Sequence, residues 1–249
     1  MIELKNISKG FNGRSILSNV STSFEKGHVN LVIGGSGSGK TVMMKCMVGL
    51  VEVDSGEIIY DGKQFSGLSR KERKPFRQEI GMVFQGGALF DSLNVEQNVM
   101  FPLSMFTNQT LEEKLERVNF CLRRVNLVNS NKLSPSELSG GMKKRVAIAR
   151  AIATKPDYLF CDEPNSGLDP RTSIVIDNLL KEITEEYNIT TIMNTHDMNS
   201  VLEVGDKILF LHQGKKWWEG TVEDILRTEN QELNDFIFAS KLAKGIKKH

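Results

Sequence analysis

The first sixty residues alternate between hydrophobic and polar positions, in segments that short glycine-bearing turns separate. These segments are "MIELKNISKGF", "SILSNVSTSFEKG" and "SGEIIYDGK". Alternation of this kind places one face of a strand in the core and the other face in water. Because the intervening turns favour hairpins, this part of the chain predicts an antiparallel layer of strands.

A different pattern interrupts this layer. The segment "HVNLVIGG" is a short, mostly apolar run that ends in glycines, and "KTVMMKCMVGL" after it has helical spacing. We therefore predict a buried strand, a glycine-rich turn and a helix in succession. The apolar residues of this helix are expected to fill the core: Met43, Met44, Met47 and Leu50.

The middle of the chain has the period of helices. Thr110 and Glu113 form a capping box, in which the two side chains satisfy free backbone amides at a helix start. The following apolar residues share one helical face: Leu111, Leu115, Val118, Leu122 and Val125. We therefore predict one domain over residues 1–249, with a catalytic core at 1–85 and 154–228, a helical subdomain at 86–153, and a C-terminal helix and tail at 229–249.

Strands return in the last third of the chain as "DYLFCDE", "ITTIMNTHD" and "KILFLHQGK". The first two are almost continuously apolar, and the helical segment "RTSIVIDNLLKEITEEYN" separates them. Apolar strands that alternate with helices indicate a parallel sheet covered on both faces. The predicted fold class is therefore α/β, with a mixed or parallel sheet beside the antiparallel layer.

Composition narrows the class of protein. The chain has 249 residues, of which 25% are charged, and a net charge of +1. This balance argues against a protein that coats nucleic acid, which would be strongly basic. No apolar run approaches the roughly 20 residues that span a bilayer. The charged start lacks the apolar region of a signal peptide, and the three cysteines have no paired spacing, so we expect a soluble intracellular protein with buried, reduced thiols.

The segment "GGSGSGKT", residues 34–41, fits the phosphate-loop pattern at every fixed position. The predicted strand before it and helix after it give the pattern its required context. The glycines let backbone amides turn inward around phosphates, and the helix start adds a positive dipole end. Lys40 is placed to reach the β and γ phosphates, and Thr41 is placed to ligate magnesium.

Acidic residues follow the next apolar strand in "DYLFCDEPNSGLDP". Open α/β sheets bind ligands at the carboxyl ends of their strands, so Asp162 is expected to hold magnesium through water. Glu163 is expected to orient or deprotonate the attacking water. His196, at the end of another strand, is a candidate for bonding the γ-phosphate or the water. Gln85, after the apolar run "GMVF", is a candidate for contacting both magnesium and the attacking water.

A second anion-binding loop lies in "ELSGGMKKR". Ser139 is placed as the N-cap of a helix, and Gly140 and Gly141 expose amides at its start, without a lysine. Either the helical subdomain folds back so that both loops face one nucleotide, or this loop serves the nucleotide of a second copy. A head-to-tail pair with twofold symmetry would contain two such composite sites.

Taken together, these motifs resemble the nucleotide-binding subunit of ABC transporters, and the resemblance covers nearly the whole chain. It rests on "GGSGSGKT", Gln85, "LSGGM", "YLFCDEP", "SGLD" and "NTHD" in this order. The chain departs from the family pattern at Gly35, Met142 and Asn165, where proline, glutamine and threonine are common. None of these changes removes a charged residue.

The resemblance implies an ATPase with the P-loop NTPase fold: a RecA-like core, an antiparallel β layer and an α-helical subdomain. It also implies a head-to-tail dimer around ATP and Mg²⁺, with the loop "SGLD" crossing to the partner's site and Phe11 stacking on adenine. The implied catalytic residues are Glu163, His196, Gln85 and Lys40, and the implied metal ligands are Thr41, Gln85 and Asp162. The implied nucleotide contacts are Phe11, Gly34, Gly35, Ser36, Gly37, Ser38, Gly39, Lys40, Thr41, Val42, Ser139, Gly140, Gly141 and Asp169.

Two stretches, "FQGGALFDSLNVEQNVMFPL" and the basic residues after "LSGGM", are similar to ATPases of the Mla family, which serve MCE-type lipid transporters. That resemblance implies phospholipid transport at the cytoplasmic face of the inner membrane. The implied partners are an integral-membrane permease, an MCE-type lipid-binding protein and a small cytosolic accessory protein. Two alternatives stay open: an amino-acid importer, and a membrane-associated regulatory ATPase of cell division with low turnover. A clamp that remodels DNA or the ribosome is not favoured, because neither the long coiled-coil insertion nor the tandem cassettes typical of such clamps appears in the sequence.

Overall fold

The computed structural model describes residues 1–237, which form two sheets and the helices that cover them. The basic end "KLAKGIKKH", predicted as a tail, lies outside the described residues. The strands are β1 Ile2–Phe11, β2 Arg14–Phe24, β3 Val29–Ile33, β4 Ser55–Tyr60, β5 Lys63–Gln64, β6 Ile80–Val83, β7 Tyr158–Asp162, β8 Thr190–Thr195, β9 Lys207–His212 and β10 Lys215–Gly220. The helices are α1 Lys40–Met47, α2 Lys74–Gln78, α3 Val95–Phe106, α4 Leu111–Arg124, α5 Gly140–Ile152, α6 Pro170–Tyr187, α7 Met198–Val204, α8 Val222–Arg227 and α9 Gln231–Ile237.

The predicted antiparallel layer is present as a four-stranded sheet in the order β2-β1-β4-β5. Its apolar side chains pack with those of α1 and with one face of the second sheet. Met43, Met44 and Met47 are fully buried there, as predicted. The three cysteines are also buried and unpaired, again as predicted.

The second sheet has six strands in the order β10-β9-β3-β8-β7-β6. The five strands from β9 to β6 are parallel, and β10 adds an antiparallel edge. The predicted α/β class is confirmed. Because parallel strands end at one edge, the residues that follow β3, β6, β7 and β8 meet along the same side of the sheet.

Helices α3, α4 and α5 pack against one another between β6 and β7 in the sequence. Their apolar faces join the core on the other side of the six-stranded sheet. Thr110 caps α4 through the predicted capping box, with its Oγ1 accepting from the Glu113 amide at 3.3 Å. These helices lie within the segment expected to be a helical subdomain, and the proposed limits of that subdomain stay a prediction.

The core prediction was wrong for Leu50, and the apolar face predicted for α4 does not bury its first residue, Leu111. Leu50 is 62% exposed and Leu111 is 66% exposed. Helix α1 ends at Met47, and Gly49, with φ of 70°, turns the chain so that Leu50 leaves the buried face. Leu111 is the first residue of α4. A helical period gives the direction of a side chain, but burial also needs a neighbouring element that extends as far as the helix end.

Within residues 1–237, no helix has both the length and the hydropathy that a bilayer crossing requires.

Candidate active site

The phosphate loop joins β3 to α1, and its glycines are dictated by the local backbone. Gly34 has φ of 150°, and a Cβ there would come within 2.2 Å of the Leu211 carbonyl oxygen. Gly39, the N-cap of α1, has φ of 106° and would place a Cβ 3.0 Å from the Ile16 carbonyl oxygen. At both positions a side chain would collide with backbone as well as adopt an unfavourable conformation. Gly35, by contrast, has open space around it.

Lys40 lies inside this loop rather than on the surface. Its side chain is 8% exposed in the folded chain, and Nζ donates to the carbonyl oxygens of Gly34 at 2.7 Å and Gly35 at 3.1 Å. Burial lowers the pKa of Lys40, and the carboxylates of Glu163 and Asp162 oppose that shift. The Ser38 hydroxyl is buried beside it and has no hydrogen-bond partner within residues 1–237. The loop therefore contains a cation and a free polar group, as a phosphate site needs.

Two of the three predicted magnesium ligands, Thr41 and Asp162, meet at the end of the loop, whereas the third, Gln85, contacts Glu163. Thr41 Oγ1 lies 3.3 Å from Asp162 Oδ1, and Asn194 Nδ2 donates to the same carboxylate oxygen at 2.8 Å. Within residues 1–237, no three acidic, histidine or cysteine side chains cluster as a metal cage. Magnesium suits such a sparse oxygen set, because it keeps several waters and binds one or two carboxylates together with substrate phosphates. The residues present therefore fit the ion.

Glu163 lies between two of the other predicted catalytic side chains, Gln85 and His196. Gln85 Nε2 donates to Glu163 Oε2 at 2.9 Å, and His196 Nδ1 lies 3.0 Å from Glu163 Oε1. The structure thus brings together residues that are separated by up to 111 positions, from the ends of β6, β7 and β8. Glu163 also has φ of 48°, a left-handed conformation that non-glycine residues adopt only when their surroundings enforce it.

Sequence reasoning missed a lysine that touches this cluster. Lys144 of α5 is buried, and its Nζ donates to the Gln85 carbonyl oxygen. Burial lowers the pKa of Lys144, and Glu163 opposes the shift. A signal was present in the sequence, since Lys144 shares the helical face of Ala147, Ile148 and Ala151 and is the polar residue of that face. Asn194 was also missed, because it looks like an ordinary polar residue within an apolar strand.

The second loop begins α5 as predicted. Ser139 Oγ accepts from the Met142 amide at 3.2 Å, and Gly140 and Gly141 form the first turn. A Cβ on Gly141 would lie 2.8 Å from Thr172 Cγ2, and one on Gly140 would lie 3.4 Å from Leu168 Cδ2. Among the described residues, no hydrogen bond joins Ser139–Gly141 to the phosphate loop.

The remaining predicted nucleotide residues are exposed or half-buried. Phe11 ends β1 and is 45% exposed, with Lys9 Nζ 5.2 Å from its ring centroid. Asp169 is the N-cap of α6 and accepts from the amides of Arg171 and Thr172, both at 3.1 Å. The hydrogen bonds from Thr172 lower the pKa of Asp169. The other predicted contacts form the exposed rim and the following turn: Ser36 and Gly37 are exposed, and Val42 is half-buried.

Comparison with known proteins agrees with this geometry. Residues 17–166 match the family model described as "ABC transporter". The chain is 40% identical to the methionine import ATP-binding protein MetN 2 of Bacillus cereus, over 98% of this chain and 76% of that protein. It is 38% identical to the intermembrane phospholipid transport system ATP-binding protein MlaF of Haemophilus influenzae, over 95% of this chain and 90% of that protein.

Solved structures give the same result for the fold. The ATP-binding cassette MJ0796, in a dimeric post-hydrolysis state bound to ADP and Pi, is 33% identical and has a TM-score of 0.82 over 89% of this chain and 99% of its own. CbiO1 of Clostridium perfringens, part of the ABC transporter complex cbiONQ, is 28% identical, with a TM-score of 0.85 over 99% of this chain and 98% of its own. The chain therefore belongs to the ABC transporter family, as an ATP-binding domain that hydrolyses ATP.

Proposed function

We propose that this chain drives lipid transport as the ATPase of an ABC transporter, working as a head-to-tail dimer beneath a membrane permease. The observation that carries the dimer is the separation of the two anion-binding loops. The phosphate loop shares its edge of the sheet with Asp162, Glu163 and His196, whereas Ser139–Gly141 packs on Leu168 and Thr172. A site that needs both loops then takes the second loop from another copy.

In this proposal the phosphate loop amides and Lys40 hold the β and γ phosphates. Thr41, Gln85 and Asp162 hold Mg²⁺, which supplies charge neutralisation at the phosphates when bound. Glu163 orients and deprotonates the attacking water, a contribution of about 10²–10⁴ in rate. His196 bonds the γ-phosphate or the water. Both carboxylate oxygens of Glu163 have partners in this structure, so the water gains access when Gln85 or His196 moves aside.

The partner copy supplies Ser139, Gly140, Gly141 and Asp169 in the same proposal. The Ser139 hydroxyl and the amides of the two glycines face the γ-phosphate across the dimer interface, where the start of α5 favours negative charge. Hydrolysis breaks the bond between the β and γ phosphates, and release of the inorganic phosphate then removes that charge and separates the subunits. The dimeric state named for MJ0796 with ADP and Pi supports this arrangement.

The permease would dock in an apolar groove of about 390 Å³ beside the catalytic edge. Phe84, Phe90, Phe101 and Met105 line this groove and are exposed. Arg150 fixes its wall by donating to the carbonyl oxygens of Gly87 at 2.7 Å and Ala88 at 2.8 Å. A rigid apolar groove of this size suits a short amphipathic helix.

The lipid cargo and an MCE-type partner are supported by the similarity to MlaF over 95% of the chain and by the motifs noted above. A peripheral position at the cytoplasmic face of the inner membrane and a small accessory protein follow from the same resemblance. Import of an amino acid is the second candidate, and the 40% identity to MetN 2 favours it. Both functions use the same ATPase chemistry, since the cargo is recognised by the permease.

Copurification from native membranes with a tagged chain tests the proposal. We expect a permease and an MCE-type protein to be recovered with bound phospholipid, and vesicle-reconstituted complex to show lipid-dependent phosphate release. Phe101→Asp should abolish recovery of the permease while the isolated chain keeps its ATPase activity. Leu111→Asp is the control, because Leu111 is also apolar and exposed but lies outside the groove. Recovery of an amino-acid permease whose ATPase responds to methionine would contradict the lipid assignment.

A further inference from the structure

A buried carboxylate lies behind the catalytic edge, outside the set of residues discussed so far. Asp177 of α6 is 2% exposed and shares the inward face of its helix with Leu180 and Ile183. No ion pair involves Asp177 within residues 1–237. A carboxylate at such a position is unfavourable unless its oxygens are satisfied by donors. The side chains around Asp177 therefore have to supply hydrogen bonds to its carboxylate.

Two neutral side chains supply those donors, and both are buried. Asn165 Nδ2 donates to Asp177 Oδ2 at 3.0 Å, and Ser200 Oγ donates to the same oxygen at 2.7 Å. Asn165 Nδ2 also donates to Ser200 Oγ at 2.8 Å. The three side chains form a closed ring of hydrogen bonds, in which loss of Asp177 removes the acceptor of both donors and loss of either donor leaves the buried carboxylate with fewer hydrogen bonds.

The two donors belong to the segments that carry the candidate catalytic groups. Asn165 follows Glu163 by two residues, and its carbonyl oxygen accepts from the Leu168 amide at 3.3 Å in the loop 166–169. Ser200 lies in α7, four residues after His196. The ring thus joins the segment of Glu163 and the loop 166–169 to the segment of His196.

We propose that Asp177 is a positioning residue, whose buried carboxylate holds Asn165 and Ser200 together and so fixes Glu163 and the loop 166–169 relative to His196. This inference rests on the roles proposed above for Glu163 and His196. Glu163 has a left-handed backbone conformation, which persists only when surrounding structure holds it. The turn that contains Asn165 starts at Glu163, whose carbonyl oxygen accepts from the Ser166 amide at 3.2 Å, so anchoring Asn165 anchors Glu163.

The electrostatics of the site support a role other than stability. Burial raises the pKa of Asp177, hydrogen bonds from Ser200 and Asn165 oppose the shift, and the carboxylates of Asp197 and Glu203 on the α7 side add to it, so that the pKa is about 6. An apolar residue at this position would avoid the unfavourable ionisation. The carboxylate is therefore better explained by what it holds than by what it contributes to folding.

Four variants of the full chain test this role. Asp177→Leu keeps a branched side chain without an acceptor, and Ser200→Ala removes one hydroxyl with little risk to folding. Asp177→Asn keeps one oxygen that can accept from both donors. Thr184→Val is the matched control, because Thr184 is a buried polar residue of the same helix that bonds Leu180 and Thr191 instead.

We expect Asp177→Leu and Ser200→Ala to lower kcat for ATP hydrolysis about tenfold with KM for ATP unchanged, because the phosphate loop is untouched. Asp177→Asn should restore most of kcat, and Thr184→Val should leave it unchanged. Amide hydrogen exchange should accelerate in residues 163–169 of the first two variants at pH 7.5, with no change in β3 and β8.

Unchanged kcat and unchanged exchange in folded Asp177→Leu and Ser200→Ala would overturn the proposal. It would also be overturned if kcat, KM and the unfolding temperature fell together, since that indicates a general structural role. Failure of the proposed function has a separate signature. If Glu163→Gln kept normal turnover, Glu163 would not be the base, while the exchange measurement would still report whether Asp177 fixes the loop.

Discussion

Two helices of this chain begin with the features of an anion site, and what surrounds each start is different. Helix α1 begins at Gly39 without a side-chain cap, and Lys40, Asp162 and Glu163 lie around it. Helix α5 begins with a side-chain cap from Ser139 and two glycines, and it has no acidic residue in its first turn. The first start has the groups that bind and cleave, and the loop Ser139–Gly141 at the second start has a hydroxyl and backbone amides.

This contrast indicates a division of labour. A neutral loop of backbone amides binds an anion through its dipole and hydrogen bonds, but it supplies neither a base nor a metal ligand. It is therefore suited to complete a nucleotide site whose reactive groups come from elsewhere. The packing of Gly141 against Thr172 places this loop beside the segment predicted to cross to a partner.

Glu163→Gln should have the largest effect, because it removes the only base at the α1 start in this proposal. Turnover should fall by about a thousandfold while ATP binding persists. The variant should elute at doubled mass in size-exclusion chromatography with ATP. Glu57→Gln, on the exposed side of β4, is the control and should behave as the natural chain. If Glu163→Gln stayed monomeric in the presence of ATP, the proposal that the two loops act on one nucleotide across a dimer would be contradicted.

Ser139→Arg tests the α5 start in isolation. An arginine at the N-cap removes the accepting oxygen and obstructs the loop, so hydrolysis should fall by about a hundredfold. ATP binding by the monomer, measured by titration, should stay unchanged because Ser139 makes no bond to its own phosphate loop. Ser136→Arg, three residues earlier and also exposed, is the control. Normal turnover in Ser139→Arg would contradict a role of the loop Ser139–Gly141 in ATP hydrolysis.

Lys40→Ala should weaken ATP binding itself, and this distinguishes the first loop from the second. A charge-assisted hydrogen bond to phosphate contributes about 1.5–3 kcal/mol, which corresponds to roughly a tenfold to hundredfold change in Kd. Fluorescent-nucleotide titration measures it directly. Lys45→Ala lies on the exposed side of the same helix and should leave Kd unchanged. Equal affinities for both variants would contradict the role of Lys40.

The last prediction concerns the pH dependence of the free energy of unfolding. It involves Asp177, which connects the segment of Glu163 to that of His196. Its folded pKa of about 6 lies above the ordinary value of 3.8, so the folded chain binds more protons between these values. The stabilisation from this group is therefore fully present below pH 3.8 and is lost as pH rises through 6. Asp177→Asn should remove that decline, by roughly 3 kcal/mol over the full titration. Urea unfolding at pH 4, 5, 6 and 7 measures it, and parallel profiles for both proteins would contradict the assignment.

Much of the fold follows from local pattern. The strands β3, β7 and β8 are apolar runs whose ends carry Gly34, Asp162 and His196, and parallel pairing then places those ends on one edge. The phosphate loop and the capped start of α5 are likewise set by residues close in sequence. For this reason the α/β class and the meeting of Lys40, Thr41, Asp162, Glu163, Gln85 and His196 could be anticipated.

The parts that could not be anticipated depend on contacts between distant residues. Lys144 reaches the Gln85 carbonyl over 59 positions, and Ser200 reaches Asp177 over 23. Their residue types give little warning, since lysine, serine and aspartate are usually solvated. Burial of such groups is decided by tertiary packing, which no short window of sequence contains. The individual roles of the site residues stay predictions until the variants are measured.

Two adjacent residues connect the apolar groove to the catalytic carboxylate. Phe84 lines the apolar groove, and the next residue, Gln85, donates a hydrogen bond to the Glu163 carboxylate. A permease helix that binds in the groove and displaces Phe84 would also move Gln85, because the two residues are adjacent in the chain. In the proposed complex, occupation of the groove would therefore change the hydrogen bond between Gln85 and Glu163, and with it the rate of ATP hydrolysis.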